Sequence, residues 1–230
     1  MTEQPRGQGA PSARTRVTRV PRRAVYARET VEAILDEALV CHLGTVDPAG
    51  APVVIPTLHA RLGEHVYLHG SAASRTLREA GRAEVCLTAT LLDGLVLARS
   101  AFHHSVGYRS VVVFGQAERI EAPAEKRRAL QAFTEKLVPG RWPDVRQPSE
   151  QELRGTAVLR LGLDEASAKV RDGGPIEEEA DYSLPVWAGT VPLHLSWGQP
   201  RPDDRLLPGV ELPPYLNELV QRGAGRRALR

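Results

Sequence analysis

The sequence predicts a mainly β protein, a small barrel of six to eight short strands with helices at its flanks. Three observations carry that prediction. Short apolar runs recur between turn residues: LVCHLGTV, APVVIPTLHA, HVYLHG, EVCLTAT and TAVLRLGL. Two tight turns, Asp47-Pro48-Ala49-Gly50 and Arg61-Leu62-Gly63-Glu64, join the first three runs as an antiparallel meander, because Pro presets φ and Gly accepts a positive one. The longest strand signal, Tyr108 to Glu121, is interrupted by Gly115, the kind of bulge or bend with which a small barrel turns a corner.

Taken in order, residues 1–20 are rich in Gly, Pro, Ser and Arg and offer nothing to bury, so they are expected to be a disordered, Arg-rich tail. Arg28 to Leu39 has Val31, Ile34, Leu35, Ala38 and Leu39 at helical spacing. After the meander, Gly70 to Ala73 forms a loop. Ser74 is a good N-cap for a helical turn to Ala80, with Arg75 in its first turn. Glu84 to Ala89 and Gly94 to Ala98 read as two strands, and Arg99 to Gly107 as a loop or single helical turn. Ala122 to Val138 is a second amphipathic helix through Ala129, Leu130, Phe133 and Leu137. The proline-punctuated PGRWPDVRQPSEQE that follows has the length of a lid. Thr156 to Leu163 and Ala166 to Val170 are the last strands. Residues 21–195 then make one domain, and residues 196–230 a Pro- and Arg-rich arm or tail.

Bulk composition excludes several classes. Hydrophobic residues are 42 % and charged ones 25 %, as in ordinary globular chains. A net charge of +2 argues against a nucleic-acid partner, although arginines crowd both ends. Cys41 and Cys86, the two cysteines, lie in apolar runs and read as buried free thiols, which fits a reducing, cytoplasmic setting. No apolar run approaches the roughly 20 residues that span a membrane, and the Arg-rich N-terminus lacks an apolar h-region, so it is not expected to be a secretory signal.

The residues suited to chemistry cluster between Val66 and Gly115. Ser71, Ser74, Arg75 and Thr76 combine a guanidinium fork, hydroxyls and a helix start, which suits a phosphate; the plainer alternative is a Ser-capped helix with a solvent-facing arginine. Arg109 and Ser110 stand at a strand start, where an arginine also serves simply to guard the end. His69 closes a strand two residues before Ser71 and reads either as a ligand or redox residue, or as a structural histidine. His103 and His104 are adjacent, with no metal-ligand spacing anywhere, so no metal site is expected. Nucleophile elbows and P-loops are absent as well. Trp187 either caps a flat cofactor or staples a C-terminal arm.

The segments LGTVDPAGAPVVIP, VYLHGSAASRTL, GYRSVVVFGQAERI and SAKVRDGGPIEEEADYSLPVWAGTVPL together resemble the pyridoxamine 5′-phosphate oxidase-like superfamily of split β-barrels, and most closely its flavin-nucleotide-binding, nitroimidazole-resistance branch. That resemblance implies a Greek-key-like antiparallel split barrel and a homodimer with FMN at the subunit interface. It places Ser74 and Arg75 on the flavin phosphate, where Ser71 is expected to join them. Arg109, Ser110 and Val111 fall on the strand that lines the flavin, and Pro56 and Thr57 on the strand whose backbone faces the isoalloxazine. His69 matches the branch's active-site histidine, and Trp187 the aromatic near the flavin. Thr76 stands where true oxidases carry a lysine, and their C-terminal Trp and Arg pattern is missing, so pyridoxamine phosphate oxidation is not the expected reaction.

The expectation is therefore an FMN-dependent oxidoreductase acting on a small molecule, nitro-group reduction included, with His69 as the catalytic residue. Two alternatives stand beside it: a non-catalytic module that senses or buffers flavin, and a split barrel that holds haem through His69 or His104.

Overall fold

The computed structural model describes residues 9–225. Their strands form two antiparallel sheets, and helices pack on the outside. In chain order, a 3₁₀ turn Pro21–Arg23 leads into β1 (Ala24–Val25), α1 (Arg28–Glu37), β2 (Val40–Val46), β3 (Pro52–Leu58), β4 (Ala60–Leu62) and β5 (His65–Ser71). Then come α2 (Arg75–Ala80), β6 (Glu84–Leu97), β7 (Ser105–Gln116), β8 (Glu118–Ile120), α3 (Pro123–Leu137) and α4 (Glu150–Gly155). The chain closes with β9 (Thr156–Gly162), β10 (Ala166–Arg171), β11 (Gly189–Pro192) and α5 (Pro214–Gly225).

One sheet has seven strands in the order β1-β10-β7-β6-β2-β3, with β11 added to β6; the other has four, β4-β5-β9-β8. The chain changes sheet at two single residues. Buried His59 separates β3 from β4, and buried Ala117 separates β7 from β8. The expected three-strand meander is thus divided between the sheets. Between them lies the main core, built on Leu43, Val66, Leu68, Leu87, Val111, Val113, Leu159 and Leu161. Helix α1 closes one opening with Val31, Ile34 and Leu35, at the i, i+3, i+4 spacing that puts three apolar residues on one face. Each such fully buried aliphatic side chain stabilises by about 1.5–3 kcal/mol. Helix α3 covers the outer face of the small sheet, where Phe133 and Ala129 meet Tyr67 and Val158.

Three expectations need correction. The two strands read from 84 to 98 are the single strand β6, and the register shift lies between Leu92 and Gly94 rather than at Gly115, which stays in register with Val85. The bulge throws Asp93 out of the ladder. Gly94 is required there, since a Cβ would stand 2.5 Å from the Val191 carbonyl oxygen of β11.

The second concerns the N-terminal tail. Residues 9–20 are packed rather than disordered: Thr15 is 1 % exposed, and Ser12 Oγ donates to Glu165 at 2.6 Å. Arg14 pairs with Glu165 at 3.0 Å and also with Glu84. The sequence offered no apolar anchor; polar bonds to β6 and to the β9–β10 turn hold the segment instead. Residues 1–8 lie outside the described residues. Third, the C-terminal arm, extended after β11, finishes in a helix, α5. Among the described residues no helix is long and apolar enough to cross a membrane.

Candidate functional site

Strand β5 places His69. Its side chains alternate, Val66 and Leu68 entering the main core while Tyr67 and His69 face α3. The His69 ring lies 4.2 Å from the Phe133 ring, tilted by 52°. It borders a cavity of about 320 Å³ walled by Leu58, Leu130, Phe133, Leu137, Trp142 and Val145, with Thr134, Arg146 and Pro148 completing the lining. The loop after α3, read as lid-like, supplies Trp142, Val145, Arg146 and Pro148, and so forms the wall opposite α3's own residues. Burial pushes the imidazole pKa down, which favours the neutral ring. His69 Nδ1 is buried and has no hydrogen-bond partner. A neutral imidazole left unpaired at the edge of an apolar cavity is suited to receive a ligand.

Behind that cavity wall sits a pair the sequence reading missed. Lys136 Nζ donates to Leu35 O at 2.7 Å, closing the C-terminal end of α1, and lies 3.0 Å from His59 Nε2. His59 Nε2 is also 2.9 Å from Leu35 O. Burial, then the Lys136 charge, pushes His59 down to about 4; burial brings Lys136 down to about 8. The only signal in the sequence was a histidine within a strand-like run, which does not reveal a partner 77 residues away.

The Ser-Arg segment lies at the rim. Ser71 Oγ accepts from Ala73 N at 3.2 Å, and Ser74 Oγ caps α2 by accepting from Leu77 N at 3.4 Å. The Arg75 side chain is 64 % exposed and gives one bond, from Nη2 to Asp47 Oδ2 at 2.9 Å. Asp47 is itself held by the amides of Ala49 and Ala51, which with Arg75 keep its carboxyl below the usual range. Pro56 and Thr57 lie on β3, the edge of the large sheet, opposite His42 and Cys41 of β2. Pro is tolerated on an edge, where its missing N–H breaks no ladder.

Arg109 has a different fate. Its Nε and Nη2 donate to Asp93 at 3.0 and 2.7 Å, and its Nη1 and Nη2 to Glu37 at 2.6 and 3.1 Å. The bulge at Asp93 and the last turn of α1 thus close on the guanidinium. Hydrogen bonds to Asp93, then Glu37, raise its pKa further. Ser110 Oγ donates to Lys169 O at 3.4 Å. Val111, two residues on from Arg109 and so on the same face of β7, is fully buried in the core, and its side chain is unavailable to a cofactor. Trp187 is 65 % exposed, its ring lying over Gly189 of β11.

Within one chain these residues do not converge. Arg75 binds the carboxylate that follows β2 and Arg109 one that precedes it, and a seven-residue strand is about 23 Å long. His69 and Ser71 share a strand and a face; Arg109 and Trp187 lie elsewhere.

The model of the family described as pyridoxamine 5′-phosphate oxidase matches residues 27–170. The chain belongs to that family. Among solved structures, the flavocytochrome Anf3 from Azotobacter vinelandii is 42 % identical, with a TM-score of 0.88, covering 92 % of this chain and 99 % of that one. The FAD and heme binding protein from Mycobacterium smegmatis is 34 % identical, with a TM-score of 0.82, covering 86 % and 97 %. A candidate 5-nitroimidazole antibiotic resistance protein from Bacteroides thetaiotaomicron is 26 % identical, with a TM-score of 0.55, over 64 % and 86 %. No curated protein matches the chain. The split-barrel fold read from the sequence is that of this family.

Proposed function

We propose that this chain is a flavin-binding redox protein that also binds haem, which His69 would hold. The observation that carries the haem part is the buried, unpaired His69 nitrogen beside an apolar cavity. A protein can hold haem through an imidazole on its iron, with apolar walls around the ring and a cation near the propionates. His69, the Leu58–Leu137 walls with Trp142, and Arg146 at the lining match that arrangement, although Arg146 already pairs with Glu152 at 2.7 Å. His104 is the poorer candidate: it is exposed, on a loop, with Nδ1 bonded to Ser100 O at 3.0 Å.

Support for the flavin comes from the relatives. The resemblance in the sequence implied FMN, whereas the 34 % identical relative is named for FAD, and that identity favours FAD. Ser71, Ser74 and Arg75 are the residues we assign to a flavin phosphate. When bound, a flavin supplies one- and two-electron chemistry and a haem one-electron chemistry. The chain's own part is to position the groups, exclude water and, at His69, offer a neutral nitrogen.

We further infer a homodimer. Trp187, Leu195, Leu207 and Phe102 are 65, 83, 73 and 88 % exposed, apolar side chains that a second copy would cover. Light scattering of the full chain should then give twice the 25.1 kDa chain mass.

The deciding experiment is a visible spectrum of the full chain supplied with hemin and flavin, with the released flavin identified by mass. A Soret band lost in His69→Ala, with flavin bands kept, is the expected result. A Soret band indifferent to that substitution removes His69, and a protein that takes up neither group overturns the reading. Flavin uptake without turnover of any electron donor would leave a binding module.

A further inference from the structure

The face of the large sheet opposite Arg109 carries an arginine in the reverse situation. In the β10–β7 ladder Arg109 stands across from Val170 and Arg171 across from Tyr108, so neighbouring register positions send the two arginines to opposite faces. Arg171 is 6 % exposed, and its Nε and Nη1 are buried with no hydrogen-bond partner. A guanidinium is always charged, and one stripped of water without acceptors is strongly disfavoured. No carboxylate pairs with it among the described residues.

Around it the chain adds charge of the same sign. Arg171 lines a cavity of about 130 Å³ together with Arg22 and Arg23, and Asp172 is the one carboxylate in the lining. The β1–β10 ladder begins at Ala24, opposite Lys169, and the turn Pro21–Arg23 just before it lies against β10. The turn that carries them, Pro21–Arg23, starts from Val20 at φ 56°, a left-handed conformation unfavourable for a β-branched residue. Burial first, then the Arg23 charge, lowers the Arg171 pKa. Three guanidinium groups and one carboxylate leave the pocket with a surplus of two positive charges.

We propose that Arg22, Arg23 and Arg171 form a binding pocket for a phosphoryl group. A phosphate dianion balances that surplus, presents tetrahedral oxygens to several guanidinium forks at once, and supplies the acceptors that Arg171 lacks. The group comes either from free phosphate or from a nucleotide bound to the chain. The pocket stands independently of the haem and flavin assignments.

The test is a calorimetric titration of the full chain with inorganic phosphate at constant ionic strength, with chloride as the control salt. One saturable site per chain is expected, weakened at least tenfold in Arg22→Ala/Arg23→Ala. Those two side chains are exposed and half-exposed, so the double variant should fold; Arg171→Met is the second variant, checked for folding by circular dichroism. Affinity that is absent, or unchanged in the double variant, overturns the proposal. Repeating the titration on flavin-loaded protein separates the sources. Competition by flavin, with flavin lost from the double variant, assigns the pocket to the nucleotide's phosphate; undiminished phosphate binding assigns it to free phosphate. A chain that binds no flavin at all would sink the cofactor reading while the phosphate titration still reads the pocket.

Discussion

Arg109 and Arg171 are neighbours across one ladder, yet the chain treats them in opposite ways. Around Arg109 it supplies two carboxylates, Asp93 from a strand bulge and Glu37 from a helix end, both bidentate. Around Arg171 it supplies two more arginines and leaves the buried Nε and Nη1 unpaired. Burial of charge is tolerated where the fold itself completes the pairing; where the fold withholds it, the position is open to a molecule from outside. The same distinction separates buried His59 from half-buried His69. His59 shares Leu35 O with Lys136, whereas His69 faces a cavity.

Acid offers the strongest way to sharpen this contrast, because it should turn His59 into another unmatched buried cation beside Lys136. The unfolded residue titrates near 6.5 and the folded one near 4. Between those values the unfolded chain binds more protons, so stability is full above about pH 6.5 and is lost as pH falls toward 4. The loss should reach about 3 kcal/mol. Urea midpoints across that range measure it, and His59→Gln should flatten the profile. A profile of equal slope in the variant would show that His59 is not the group responsible.

Arg109→Ala comes next. It removes the guanidinium that both Asp93 and Glu37 accept from, in a site where that side chain is 32 % exposed. Partial solvent access lowers the cost below that of a fully buried pair, to about 2 kcal/mol. Phosphate affinity should be unchanged, since the side chain lies on the other face of the sheet. A parallel loss of phosphate binding would break the distinction between the two arginines.

Much of the fold was legible because it rests on local signals. The apolar periodicity of Val31, Ile34 and Leu35, the Ser74 cap, and the Asp47-Pro48-Ala49-Gly50 turn all act within a few residues, and each appears where expected. The sheet change at His59 was hidden, since the run from Ala51 to Ala60 reads as one strand. The site was less legible for a related reason. An arginine in a strand does not announce which face holds acceptors, so Tyr108-Arg109-Ser110 looked like a ligand-binding signature while Arg171 drew no attention. Asp93, 16 residues from Arg109, and Glu37, 72 residues away, decide the matter, and their approach is a property of the folded sheet.

The smallest expected change in stability is also the most informative about the cofactor. Arg75→Ala removes one exposed ion pair with Asp47, worth at most about 0.5 kcal/mol to folding. If Arg75 holds a flavin phosphate, the same substitution removes a charge-assisted contact of about 1.5–3 kcal/mol, a loss of affinity of roughly ten- to a hundredfold. Flavin affinity measured in Arg75→Ala beside Arg22→Ala/Arg23→Ala therefore sets the two arginine groups against each other. A loss confined to Arg75→Ala places the phosphate at the Ser74 helix start and leaves the Arg171 pocket to free phosphate. A loss confined to the double variant moves the nucleotide's phosphate to the Arg171 pocket and reduces Arg75 to an ordinary surface residue.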